Sequence, residues 1–221
     1  DDLLTEDENF IAVRVITPLI TRDVVIDGLG RDDMPHWRGA IAGGIWQPVS
    51  LIATGPVYVA DTFVTADINS GKVTIVSTFQ NQDLKIHSAT IAWTITEFKG
   101  DSPVASGQET LKLNPGTSNH EQTLTIKDHK LWQLDAPNLY VVTTTVTLQS
   151  ESSDTVETRF GFREFTAEGK SFYLNGAKIV LKTTFNEAFY PHSLAYPRDL
   201  ELLKKEFKLI KDCNTNMIRP W

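Results

Sequence analysis

Cysteine and histidine are the residue types that most often serve as nucleophiles, proton carriers or metal ligands, and this sequence contains one Cys and five His. Cys213 lies between a helical pattern and a strand pattern, and the nearby sequence supplies no base that could activate a thiol. We therefore interpret it as a small buried side chain. His87, His120 and His129 lack the H-x-H or H-x₃-H spacing of a zinc site. The sequence thus predicts neither a metal centre nor a cofactor.

The charge balance of the chain limits its partners. The net charge is −7 and the pI is about 5.2, and no run of Lys and Arg interrupts this acidity. Phosphate backbones and anionic membranes both require clustered cationic side chains. No apolar run approaches the roughly 20 residues of a membrane span. We expect no nucleic-acid partner and no membrane partner, and the sequence does not indicate an oligomeric state.

The elements that must position any functional group begin with residues 1–56. Apolar and polar residues alternate at 11–15, which predicts a strand, and a second strand is predicted at 45–53, where Pro48 favours an edge or a bulge. Residues 23–44 are predicted to be mostly loop. Because two strands and a loop cannot bury a core, we expect that this segment either packs against the next domain or is the tail of a domain whose beginning is absent.

Residues 57–165 have the pattern of an all-β domain. Short strand patterns alternate with Gly, Pro, Asn and Ser turns. Seven antiparallel strands are typical of a constant-type immunoglobulin sandwich, in which Trp93 would fill the centre and Tyr140 would form a tyrosine corner. The predicted strands are 57–68, 72–80, 89–98, 104–113, 121–127, 139–149 and 155–164.

The last segment changes period. The dipeptide Asn175-Gly176 predicts a tight hairpin turn, and a strand is predicted over 178–185. Residues 197–212 predict a helix with Pro197 in its first turn, and 214–221 predict another strand. The apolar stripe expected on this helix consists of Leu200, Leu203, Phe207 and Ile210.

Strand, helix and strand form one βαβ unit, which cannot make a domain alone. A (β/α)₈ barrel needs about 250 residues. We therefore interpret the chain as a piece of a larger enzyme.

Three segments carry a family resemblance: RFGFREF at 159–165, LWQLDAPNLY at 131–140 and FYLNGAKIVLK at 172–182. Together they resemble the glycoside hydrolases of family 2, the group that contains β-galactosidases, β-glucuronidases and β-mannosidases. The resemblance implies that the GFR segment closes an immunoglobulin-like domain and that the LNG segment opens a catalytic barrel.

The resemblance also implies the domain organisation. Residues 32–38 and 43–51 are similar to the end of the jelly roll in these enzymes. The expected arrangement is therefore mainly β: 1–56 as the C-terminal part of a jelly-roll sugar-binding domain, 57–165 as an immunoglobulin-like sandwich, and 166–221 as the truncated start of a TIM-barrel domain.

Candidate substrate-binding residues follow from the same resemblance. Arg219 matches the family arginine at the end of barrel strand two, with an ion pair that orients a carboxylate as its alternative role. The glycine and histidines that the family carries at the mouth of strand one are absent here, which leaves Asn186 and Glu187 as candidates, with a surface loop as the alternative. The N-terminal candidates are Asp32, Asp33 and Trp37, with a solvated turn and an anchoring Trp as their alternative.

The function implied is that of a retaining β-glycosidase, β-galactosidase-like, that acts on a carbohydrate substrate. Its two catalytic glutamates are expected outside this sequence, so no catalytic residue is assigned and this chain alone is expected to be inactive. The competing hypothesis is a non-enzymatic sandwich that binds carbohydrate or a protein partner through exposed Trp37 and Trp46. The terminal βαβ unit favours the enzyme.

Overall fold

The computed structural model describes residues 8–15, 45, 48–186 and 199–220. Within them, Ile52–Leu181 form one compact unit, and the strand–helix–strand segment that follows belongs to another. Seven strands of the first unit build a sandwich. They are β1 (Val57–Ala66), β2 (Lys72–Asn81), β3 (His87–Glu97), β4 (Pro103–Leu113), β5 (Gly116–Thr125), β6 (Tyr140–Leu148) and β7 (Glu151–Phe160).

The sandwich has two antiparallel sheets, with strand orders β1-β2-β5 and β4-β3-β6-β7. The predicted immunoglobulin-like architecture is therefore confirmed. The constant-type arrangement is wrong in one respect, because β4 pairs with β3 instead of joining the sheet of β5. A tight turn explains this, since Lys99 adopts φ +68° and Gly100 N–H donates to Glu97 O over 2.8 Å. So short a connection makes β3 and β4 antiparallel neighbours.

The core lies between the sheets, where the strands alternate buried and outward-facing side chains. Trp93 is fully buried at its centre, and its indole N–H donates to Ser77 Oγ over 3.2 Å. Tyr140 is also buried, and its hydroxyl oxygen accepts a hydrogen bond of 2.8 Å from the backbone N–H of Lys130, as expected of a tyrosine corner. Both predicted roles are confirmed. Burying a large apolar side chain contributes about 1.5–3 kcal/mol.

One flank of the sandwich is closed by hydrogen bonds between β1 and β7. Val59 N–H donates to Asp154 Oδ2 over 2.9 Å, and Ser153 Oγ–H donates to Val57 O over 2.6 Å. Gly55 N–H donates to Ser153 O over 2.6 Å, and a Cβ on Gly55 would clash with Ser153 Oγ. A side chain at position 55 would therefore displace Ser153.

A small three-stranded sheet follows the sandwich: β8 (Phe165–Glu168), β9 (Ser171–Leu174) and β10 (Ala177–Ile179). The predicted hairpin turn is confirmed, with Asn175 at φ +51° and Gly176 at φ +76°. Asn175 also fastens the hairpin to neighbouring chain. Its Oδ1 accepts from Glu164 N–H over 3.0 Å, and its Nδ2 donates to Trp132 O over 2.8 Å.

The second unit contains β11 (Thr183–Asn186), α1 (Leu200–Asp212) and β12 (Met217–Pro220). The strands pair in parallel, which confirms the predicted βαβ unit. Asp199 is the N-cap of α1, and its carboxylate accepts from the backbone N–H groups of Glu201 and Leu202. Pro197, which was predicted in the first helical turn, lies outside the described residues.

Other predictions about elements also fail. The strand predicted over 178–185 is two strands, β10 and β11, with different partners. β-propensity is alike on both sides of the break, so the sequence pattern does not reveal a change of partner. Residues 11–15 and 48–53 form no strand, and 45 is likewise outside any strand. A strand requires a hydrogen-bonding neighbour, and alternation alone does not supply one.

Candidate functional site

The structure describes two of the six candidate binding residues, Arg219 and Asn186. Both lie in the β11–β12 pair, at the carboxyl ends of the strands. Because parallel strands run in the same direction, these ends meet at one edge. The remaining candidates, Asp32, Asp33, Trp37 and Glu187, lie outside the described residues.

The pairing register determines which side chains share a face. Phe185 is opposite Arg219, and Asn186 is opposite Pro220. Register partners project to the same side of a sheet, and successive residues project to opposite sides. Arg219 and Asn186 therefore share the edge but point to opposite faces of the pair.

An aromatic side chain accompanies Arg219. The Cζ atom of Arg219 lies 5.6 Å from the centroid of the Phe185 ring, within the range of a cation–π interaction. Both side chains are solvent-exposed, whereas Asn186 is half-buried. This contact could not be predicted from the sequence, because residues 34 positions apart meet only through the strand register.

The two strands are fixed to each other at their amino ends. Lys182 N–H donates to the side-chain Oδ1 of Asn216 over 2.8 Å. The backbone N–H groups of Asn216 and Met217 both donate to Lys182 O, over 3.0 and 3.3 Å. Asn216 therefore sets the register that places Arg219 opposite Phe185.

The chemistry available at this edge is binding. A guanidinium stays protonated at every physiological pH and offers five N–H donors, which suit carboxylate and hydroxyl oxygens. An amide such as that of Asn186 both donates and accepts hydrogen bonds. Neither group is an effective general acid or base near neutral pH. The edge can orient a polar ligand, and carboxylates from elsewhere would have to supply proton transfer.

The three histidines in the described residues contact side chains or backbone of the sandwich unit. His87 Nε2 lies 2.6 Å from Asp83 Oδ2, and the His120 ring stacks on Trp93 with a centroid distance of 5.4 Å. His129 Nε2 lies 2.9 Å from Ile68 O. In the part of the chain that the structure describes, no three His, Cys, Asp or Glu side chains are grouped so that they could hold a metal ion.

Cys213 corrects a prediction. It is exposed instead of buried, and it forms the C-cap of α1, where its N–H donates to Leu209 O over 3.1 Å. Cys213 lies at the end of the helix and not on its apolar face. The prediction that its side chain is buried was therefore wrong.

Two exposed groups of the sandwich unit have shifted pKa values. Hydrogen bonds from the side chain and backbone of Ser70 lower the pKa of Asp67, and a further bond from Asn69 N–H acts in the same direction. The hydrogen bond and charge of Glu97 raise the pKa of Lys130. These shifts accompany surface turns and an exposed ion pair.

The described residues of the sandwich unit line more than one concave surface, and one of about 520 Å³ lies beside Glu97, Ile126 and Tyr140. A groove of about 340 Å³ lies between residues 131–135 and the β9–β10 hairpin, with Leu131, Leu134 and Ile179 among its lining side chains. Nearby, the Arg163 guanidinium lies over the Trp132 ring at 5.1 Å.

The described part of the chain contains no helix that is long and apolar enough to cross a membrane.

Comparisons with known proteins point to one family. The family model described as Glycosyl hydrolases family 2 matches residues 57–163. A β-galactosidase from Thermoanaerobacterium thermosulfurigenes is 29% identical over 84% of this chain and 28% of its own length. A putative β-glucuronidase from Formosa agariphila is 26% identical over 81% of this chain and 21% of its own length.

Solved structures agree on the fold. A glycosyl hydrolase family 2 member from Bacteroides cellulosilyticus matches 76% of this chain and 22% of its own with a TM-score of 0.69, at 22% sequence identity. The chain therefore spans roughly a quarter of the length of the curated relatives that it matches.

Proposed function

We propose that this chain belongs to glycosyl hydrolase family 2 and is the non-catalytic middle portion of a retaining β-glycosidase that hydrolyses O-glycosidic bonds. The observation that supports this most directly is the combination of a family match over 57–163 with a parallel β11–α1–β12 unit after it. In this proposal, β11 and β12 are the first two strands of a (β/α)₈ barrel.

Exposed apolar side chains in the βαβ unit support the barrel. Leu200 is 63% exposed, Leu209 is 56% exposed and Phe207 is 45% exposed. A parallel pair with its crossover helix is normally covered on both faces. Additional strands and helices would bury these side chains.

The candidate binding residues have proposed roles in the reaction. In a retaining glycosidase, one carboxylic acid protonates the leaving oxygen, and a carboxylate about 5–5.5 Å away attacks the anomeric carbon. Barrel active sites lie at the carboxyl ends of the strands. Arg219 and Asn186, at that edge, would bind substrate oxygens while glutamates outside this sequence carry out the chemistry. Asp32, Asp33, Trp37 and Glu187 are proposed to contribute further substrate contacts.

The activity test uses the product of the complete reading frame that encodes this chain. We expect that product to hydrolyse an aryl β-galactoside, β-glucuronide or β-mannoside with retention of configuration, and the 221-residue chain alone to release no aryl group. A complete product that cleaves none of the three substrates would refute the enzyme, and hydrolysis by the chain alone would refute its non-catalytic role.

A substitution tests the proposed site. Arg219→Ala in the complete product removes a charged hydrogen-bond donor, which contributes about 1.5–3 kcal/mol, so kcat/KM should fall roughly 10- to 100-fold. Arg159→Ala is the matched control, because Arg159 lies over the Phe98 ring at 5.2 Å in the sandwich. Equal losses in both variants would contradict a substrate role for Arg219.

The second candidate is a carbohydrate-binding module without activity. It is favoured by the independent core of the sandwich, since Ile52–Leu181 form a compact unit. Saturable binding of free saccharides by the 221-residue chain, together with an inactive complete product, would support this candidate over the glycosidase.

A further inference from the structure

We propose that Phe185 is a positioning residue for Arg219, and that its ring holds the guanidinium at the carboxyl edge of β11 and β12 where a carbohydrate substrate would bind. The inference rests on the proposed function for its substrate, and on the described geometry for the contact. It assigns a role to an aromatic side chain at a position where the resemblance gave no candidate.

The backbone determines the contact. Phe185 and Arg219 are register partners in a parallel pair, so their side chains leave the same face from adjacent strands. Hydrogen bonds between Lys182 and Asn216 join the amino ends of the two strands. Each of these residues lies one position before its strand. The ring and the guanidinium are consequently brought together by the register of the two strands.

The contact is suited to positioning. Arg has a long side chain whose rotamer freedom is lost when it binds a ligand. A guanidinium whose carbon is 5.6 Å from the ring centroid is already restricted before a ligand arrives. A contact through the π face leaves the N–H donors for substrate oxygens, because it uses none of them.

An alternative role for the ring is direct stacking on a sugar. The guanidinium competes with that role, since it already lies within cation–π distance of the same ring. The two roles make opposite predictions when Arg219 is absent. A positioning ring loses its effect without Arg219, and a stacking ring retains it.

The first experiment measures the contact in the 221-residue chain and needs no activity. The ring current of Phe185 should displace the NMR signals of the Arg219 δ-CH₂ protons. Phe185→Leu should return them to ordinary Arg positions, and Phe185→Tyr should leave them displaced. Phe98→Leu, which removes the ring beneath Arg159, is the matched control and should not affect them. Undisplaced Arg219 signals in the unsubstituted chain would overturn the inference.

The second experiment is a double-mutant cycle on the complete reading-frame product. Phe185→Leu should raise KM about two- to fivefold, the value of an exposed cation–π contact, with kcat nearly unchanged. Phe185→Tyr should restore the original KM, and Phe185→Leu should have no further effect in an Arg219→Ala background. An undiminished effect in that background would overturn positioning in favour of stacking.

The two experiments separate this inference from the proposed function. A complete product without glycosidase activity refutes the enzyme, and the role of Phe185 toward a substrate is refuted with it. Displaced Arg219 signals would still show that the ring holds the guanidinium. An active enzyme with undisplaced signals refutes the inference alone.

Discussion

The sandwich and the βαβ unit bury their apolar side chains to very different extents. In the sandwich, Trp93, Ile91 and Val142 have no solvent exposure. In the βαβ unit, α1 has no buried residue, and Leu200 and Phe207 of its apolar stripe are exposed, although Leu203 and Ile210 are half-buried. The two regions have similar proportions of apolar residues within regular elements, so the difference comes from topology.

Sheet type explains that topology. Each antiparallel sheet of the sandwich has one face toward the other sheet and one toward water, so seven strands complete a core. A parallel pair joined through a helix has faces that each need a covering layer. The sandwich is thus stabilised by its own contacts, whereas the described residues of the βαβ unit leave large apolar side chains exposed. Four predictions test this contrast, from the largest expected effect to the smallest.

Trp93→Ala should destabilise the sandwich by about 3–5 kcal/mol, since it removes the largest fully buried side chain and leaves a cavity. Phe207→Ala in α1 should cost less, about 1 kcal/mol, in the same chain, because Phe207 is 45% exposed. Urea unfolding followed by NMR of sandwich and helix amides measures both. Equal losses of unfolding free energy in the two variants would contradict the difference between the sandwich and the βαβ unit. If Trp93→Ala does not fold, the milder Trp93→Phe allows the same comparison.

Asn175→Ala should cost about 1–3 kcal/mol. The substitution removes the hydrogen bonds to Glu164 and Trp132 and leaves a residue with a Cβ at φ +51°. Asn175→Gly is the control, because it tolerates this backbone angle and loses only the two side-chain bonds. The free energy of unfolding should therefore rank the original above Gly and Gly above Ala. If Ala equals the original, the turn does not stabilise the hairpin.

Thr144→Val should stabilise the sandwich by about 1 kcal/mol. The Thr144 hydroxyl is fully buried and has no hydrogen-bond partner among the described residues, and a methyl group there removes an unsatisfied polar atom. Thr143→Val, on the half-buried outer face of the same strand, is the control and should change stability little. Loss of stability in Thr144→Val would indicate that the hydroxyl is satisfied by water.

Asp67→Asn should change the stability of the sandwich least, and the size of the change should depend on pH. Hydrogen bonds from Ser70 lower the pKa of its carboxyl below the ordinary value of 3.8, so the charged form is favoured in the folded state. This stabilisation is present above pH 3.8 and is lost as the pH falls through the lowered pKa. The Tm difference between the original chain and Asp67→Asn should narrow between pH 5 and pH 2. A constant difference would contradict this linkage.

Local signals in the sequence predicted much of the sandwich. Turn residues separated its seven strands, and positive φ at Asn175 and Gly176 follows from residue type. Trp93 and Tyr140 were predicted from their places in the strand order. The partner of β4 and the break between β10 and β11 were not predicted, because pairing is chosen by tertiary contacts that a single strand does not encode.

The candidate site follows the same division. The change from period 2 to a helical period located the βαβ unit, and this placed Arg219 and Asn186 at one edge. The hydrogen bonds of Asn216 and the ring of Phe185 depend on the register between two strands separated by a helix. No local pattern contains that register.

The closed β1–β7 flank has a consequence for self-association. Strand edges can recruit an incoming strand from another molecule when their backbone groups are unoccupied. The Val59 amide and the Val57 carbonyl are already bonded to Asp154 and Ser153, which removes two of the groups that such a strand would need. An incoming strand would instead meet the other two edge strands, β4 and β5, and on β4 Pro103 and Lys112 discourage such pairing.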